Sequence, residues 1–96
     1  MTSKQRAYLR SLANKITPIF QIGKNGISEN LINQLIDALE ARELIKITVL
    51  ETAPENIKIL ANEISSLTNS TLVQIIGNKI TLYKTKQKNP KIILPN

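Results

Sequence analysis

Apolar residues in this chain recur at two spacings, and the order in which those spacings alternate restricts the fold more than any other feature. Leu31, Ile32, Leu35, Ile36 and Leu39 return every three or four positions, which lines one face of a helix. Directly afterwards Ile45, Ile47 and Val49 alternate with Lys46 and Thr48, the period of a strand with one buried side. A helical stripe also runs through Tyr8, Leu9, Leu12 and Ile16, expected over about residues 3–15. Another runs through Ile57, Leu60, Ala61, Ile64 and Leu67. Strands are expected at 19–22, 44–50, 71–76 and 79–83.

Punctuation between these segments supports the same division. Thr2 and Gln5 have the spacing of a capping box, and Pro18 closes the first helix because the residue before proline avoids the α region. Ser28 caps the second helix, which runs to about Arg42. Pro54 suits the first turn of the third, and Asn69 suits a left-handed stop. Gly77-Asn78 is a two-residue hairpin signal. The expected order is αβαβαββ: an α/β fold, read as a two-layer sandwich around one mixed four-stranded sheet. Residues 84–96 form a basic tail, in which Ile92, Ile93 and Leu94 read as an edge strand or a docked end.

A chain of 96 residues suits one domain, and its mean hydropathy of −0.09 suits a folded, soluble one. No apolar run approaches the ~18 residues of a membrane span, and residues 1–6 lack a secretory signal. A cytoplasmic monomer is the expectation. With no histidine or cysteine, the chain cannot build a Ser-His-Asp triad, a Cys-His pair or an ordinary zinc site. Asp37 and Glu40 fall on one helix face, where solvated carboxylates are the ordinary reading. No catalytic residue, metal or cofactor is expected.

Charge is segregated along the chain. Residues 1–26 carry five bases and no acid. Residues 27–76 carry all seven acids against three bases, and residues 77–96 again carry five bases and no acid. If folding unites the two basic ends, they form a surface suited to a polyanion. Lysines that merely keep a small protein soluble would give the same net charge of +6, but not this segregation.

Between the first strand and the second helix lies Gly23-Lys24-Asn25-Gly26. Glycines allow unusual dihedrals and close approach of a ligand to the backbone, and amides at a helix start favour phosphate oxygens. Alone, the four residues read first as a structural turn, since Asn-Gly is a common turn dipeptide. They are not a Walker loop, and the KH arrangement places such a loop between two helices.

Residues 4–13, then Pro18, then Gln21-Ile22-Gly23-Lys24-Asn25-Gly26-Ile27-Ser28, resemble the YhbY-like CRM-domain family. Leu44-Ile45-Lys46, Gln74-Ile75-Ile76-Gly77 and Leu82-Tyr83-Lys84 match later family blocks in order. The resemblance implies a fold similar to the C-terminal domain of translation initiation factor 3. It also implies RNA binding, in stand-alone bacterial members with precursors of the large ribosomal subunit, and RNA contact at Gly23–Gly26. Asn14, where members often have histidine, and Asn69-Ser70, in place of a glycine-bearing turn, depart from the pattern.

The expected RNA contacts are Gly23, Lys24, Asn25 and Gly26, with Arg6 and Arg10, Lys46, and Lys84 and Lys86. Tyr8 and Phe20 are expected in the core, which leaves no exposed aromatic pair for stacking bases. Recognition is therefore expected to rest on phosphate charge and RNA shape. The rival readings are a module that docks on ribosomal proteins or assembly factors through acidic helix faces, and, ranked last, an enzyme acting on a phosphorylated small molecule.

Overall fold

A computed structural model describes residues 1–96. Its elements are α1 (Ser3–Ala13), β1 (Phe20–Ile22), α2 (Glu29–Arg42), β2 (Leu44–Val49), α3 (Ile57–Thr68), β3 (Thr71–Ile76) and β4 (Lys79–Tyr83). The strands form one sheet in the order β1-β2-β4-β3. β1 pairs with β2 in parallel, and β4 lies antiparallel to both β2 and β3. The expected mixed α/β sheet is therefore present.

Local chemistry accounts for most boundaries. Thr2 and Gln5 form both hydrogen bonds of the capping box on α1. The Ser28 hydroxyl accepts the Leu31 N–H and starts α2. Asn69, at φ 53° and ψ 46°, ends α3 in the left-handed conformation. The third helix begins later than Pro54 suggested, because the Asn56 side chain accepts the Ile59 N–H and serves as its cap. Gly77, at φ 58°, occupies the first central position of the β3–β4 turn, the place that favours glycine in a type II′ hairpin.

The alternation of β2 assigns the two faces of the sheet. Ile45, Ile47 and Val49 join Ile22, Ile80 and Leu82 under α2 and α3, where Leu35, Leu39, Leu60, Ala61 and Ile64 complete the main core. Each Leu or Ile buried there contributes about 1.5–3 kcal/mol. Leu44 points the other way and packs with Val73, Tyr83 and the α1 residues Leu9 and Ala13. So α2 and α3 form the layer expected on the sheet, while α1 and the tail cover one end of its opposite face. Tyr8 and Leu67, expected inside, are 39% and 52% exposed, and Ala13 takes the buried position on α1. The tail adds no strand: Ile92 and Leu94 dock on the second cluster while Ile93 remains exposed. No helix is long and apolar enough to cross a membrane.

Candidate nucleic-acid interface

β1 stops at Gly23 because the chain turns: the Gly26 N–H donates to the Gly23 carbonyl at 3.0 Å, with Lys24 and Asn25 exposed at the tip. The N–H groups of Lys24 and Asn25 find no acceptor within the chain. The two glycines differ in what they permit. Gly26 has φ 63°, and a Cβ there would stand 3.0 Å from Pro54 Cγ, so both conformation and space require glycine. Gly23 has no positive φ, and a Cβ would meet the Leu50 and Thr52 side chains at ordinary contact distances.

Beside the turn is an open groove of about 550 Å³. The turn forms one wall, Asn30 and Gln34 of α2 another, and Gln21, Leu50 and Thr52 complete the lining. Lys24 is the only charged residue that lines it. The groove was not legible in the sequence, because β1, α2 and the segment after β2 meet there only in three dimensions.

The expected basic residues are placed unequally. Arg10 and Lys24 are exposed. Lys46, half-buried, projects from β2 on the face that carries α1, as its alternation with Ile45 and Ile47 requires. Arg6 is anchored, its Nη1 donating to the carbonyls of Leu72 at 2.8 Å and Val73 at 3.1 Å. These carbonyls are accessible because the β3–β4 register shifts between Leu72 and Gln74. Lys84 donates from Nζ to the Thr68 carbonyl at 3.2 Å, capping α3 rather than facing solvent alone. Lys84 and Lys86 follow the far end of β4, whereas the Gly23–Gly26 turn adjoins the end where Lys79 begins it. The five residues of β4 separate them from the turn by roughly 15 Å. One continuous face uniting the turn with Lys84 and Lys86 is therefore not formed, and Lys79 is the β4 lysine at the turn's end of the sheet.

The acids obey a simpler rule. Glu29, Asp37, Glu40 and Glu63 lie on α2 and α3, and Glu51 and Glu55 lie in the segment leading into α3. Glu43 is buried at the end of α2. None stands on α1 or on the sheet face beneath it. That part of the surface carries Lys4, Arg10, Lys46 and Lys79.

Glu43 is buried at the end of α2, in surroundings that sequence reasoning missed. Burial opposes its charge, but N–H donors from Ile92, Lys86 and Lys91, with the Lys86 ammonium nearby, outweigh that and hold its pKa below the ordinary value. Every hydrogen bond to its carboxylate comes from the tail, which makes it a structural anchor.

Residues 1–84 match the CRS1/YhbY (CRM) domain family. The chain belongs to that family. It is 48% identical over 95 residues to the Bacillus subtilis protein YqeI, named a probable RNA-binding protein, with 99% of each chain covered. A Haemophilus influenzae RNA-binding protein is 33% identical over 99% of this chain and 95% of its own length. The solution structure of a Staphylococcus aureus protein, described as a candidate RNA-binding protein, superposes with a TM-score of 0.82 at 53% identity and covers 99% of both chains.

Proposed function

We propose that this CRM-domain protein binds RNA through the Gly23–Gly26 turn and the acid-free surface that carries α1, and that it acts on ribosomal RNA during assembly of the large subunit. The observation that carries the reading is the segregation of charge in three dimensions. Six acids stand on or beside the α2–α3 layer and the seventh is buried, while Arg10, Lys46 and Lys79 lie on the opposite side of the sheet and Lys24 stands at the exposed turn leading into α2. Such an arrangement attracts a polyanion to one side of a small protein. The free amides of Lys24 and Asn25 add donors suited to phosphate oxygens. The names of its relatives agree with RNA as the partner. The protein works in this reading without a cofactor, as a cytoplasmic monomer.

Measuring affinity for a structured fragment of precursor ribosomal RNA across salt concentrations tests the reading. If ~4–6 phosphates are neutralised, log K falls against log salt with a slope of about −3 to −5. A flat response removes the electrostatic basis. The alternative, docking of a ribosomal protein or assembly factor on the acidic layer, draws support from Ile36, Ile59 and Leu67, which α2 and α3 expose. Weak, salt-insensitive RNA binding beside a tight protein contact favours it.

A further inference from the structure

We infer that the groove beside the Gly23–Gly26 turn is a subsite for an unpaired nucleobase, so that the protein reads base identity there as well as phosphate charge. The inference rests on the RNA-binding reading and narrows its ligand to single-stranded or looped segments. It also departs from the expectation, drawn from the scarcity of aromatic residues, that recognition rests on charge and shape.

The argument starts from what lines the concavity. Asn25 from the turn and Asn30 and Gln34 from α2 bring three carboxamides to one groove, with Thr52 opposite and Gln21 of β1 at its border. A carboxamide offers a donor and an acceptor side by side, the pattern that the edge of a base complements. None of these three side chains forms a hydrogen bond within the protein, and all three residues are exposed. Asn30 and Gln34 stand four apart, so they share one flank of α2. The acids Asp37 and Glu40 of the same helix do not line the groove, and no acid does. A phosphate can therefore approach Lys24 while the attached base enters without meeting negative charge. Leu50, 37% exposed, supplies an apolar wall for the face of the base.

A groove of this size admits an individual nucleotide. Bases stacked in an A-form helix keep their edges in a deep, narrow groove that side chains cannot read, whereas loops and bulges can splay a base outward. A short run of polar side chains spread evenly over a helix surface would carry no such meaning. Here the carboxamides come from the turn and from α2, and they line one hollow with Thr52 of the segment after β2.

The test compares binding of oligo(A), oligo(C), oligo(U), a hairpin with an unpaired loop and a fully paired duplex to the intact protein, each across a salt series. The expected result is a preference for unpaired RNA and about a tenfold or greater spread in affinity among the homopolymers. Asn30→Ala with Gln34→Ala should collapse that spread while leaving the salt slope unchanged. Lys24→Glu should instead lower affinity for every RNA and flatten the slope. Equal affinity for all homopolymers and the duplex, with a steep salt slope, overturns the base subsite and leaves phosphate binding standing. No salt-dependent binding to any of the five overturns both. Circular dichroism of the double variant checks that it is folded, and a second variant, Thr52→Ala on the other wall, must also narrow the spread.

Discussion

The Glu43 carboxylate accepts the backbone N–H of Lys91 at 2.6 Å, joining the end of α2 to a residue forty-eight positions away. The same oxygen accepts the Ile92 N–H at 2.9 Å, and the other oxygen accepts the Lys86 N–H at 3.2 Å. The Glu43 carbonyl accepts the Lys84 N–H as well. Glu43 sits at φ 66°, a conformation in which a helix end ordinarily favours glycine or asparagine. At this strained position the buried carboxylate holds the start of the tail and the docking of Ile92.

Glu43→Gln should therefore release the tail. The amide offers one acceptor where the carboxylate offers two, and it turns a donor toward an N–H group. The expected cost is about 1–3 kcal/mol, read by thermal unfolding, with faster amide exchange at Lys91 and Ile92. Unchanged exchange at those two amides would show that the tail is held by Ile92 and Leu94 packing alone.

The same interaction sets a pH dependence. The folded pKa of Glu43 lies below its ordinary value of 4.5, so the ionised form stabilises the fold. That contribution is complete above the unfolded value and is lost as pH falls through the lower folded one. The protection of the Lys91 and Ile92 amides, measured against intrinsic exchange at the same pH, should fall in acid in the wild type. In Glu43→Gln their protection should already be low at neutral pH, with the acid-dependent loss missing.

The turn separates strain from binding. Gly26→Ala places a Cβ 3.0 Å from Pro54 Cγ at a positive φ, and should cost about 1–3 kcal/mol of stability together with RNA affinity. Gly23→Ala meets only ordinary contacts and should leave the melting temperature nearly unchanged. Lys24→Glu, at an exposed tip, should keep stability and make the salt slope shallower by about 0.7–0.9 for each phosphate that the side chain no longer neutralises. Matching losses of stability and binding in Lys24→Glu would mark the turn as structural only.

Where the chain signals its structure through neighbours in sequence, the fold was legible. The Thr2 box, the Ser28 cap, the Asn69 stop and the Gly77-Asn78 hairpin each act within a few residues, and each is present. The third helix shows how two local signals compete: Pro54 fits a first turn, but Asn56 provides the side-chain acceptor and wins. The functional surface was legible only in part, because the fate of a basic side chain depends on distant backbone. Nothing near Arg6 in sequence reveals that irregular β3 pairing offers it two carbonyls, or near Lys84 that the end of α3 lies within reach. The carboxamide groove was hidden for the same reason. Glu43 looked like one of several acids at the end of a helix, since the groups that solvate it come from residues 86–92.

Two arginines one helical turn apart give the sharpest separation of structure from recognition. Arg6 and Arg10 share a flank of α1, and their charges are the same, so a purely electrostatic account assigns them equal weight. Their surroundings differ. The half-buried Arg6 guanidinium ties α1 to the Leu72 and Val73 carbonyls, and its removal leaves those acceptors to water and loosens α1 from β3. Arg6→Ala should lower stability by about 1–3 kcal/mol. Arg10 is exposed, on the opposite side of the Leu9–Ala13 stripe from Leu12, which lines a cleft with Ile92 and Arg42 at the end of the sheet. Its flank borders the uncovered part of the sheet that carries Lys46. Arg10→Ala should leave the melting temperature within error and weaken RNA binding, with a slope shallower by about 0.7–0.9 if the side chain neutralises a single phosphate. Thermal unfolding and a salt-series titration of both variants decide the matter. If Arg10→Ala binds RNA like the wild type while Lys24→Glu does not, the interface is confined to the turn and its groove, and α1 serves the fold alone.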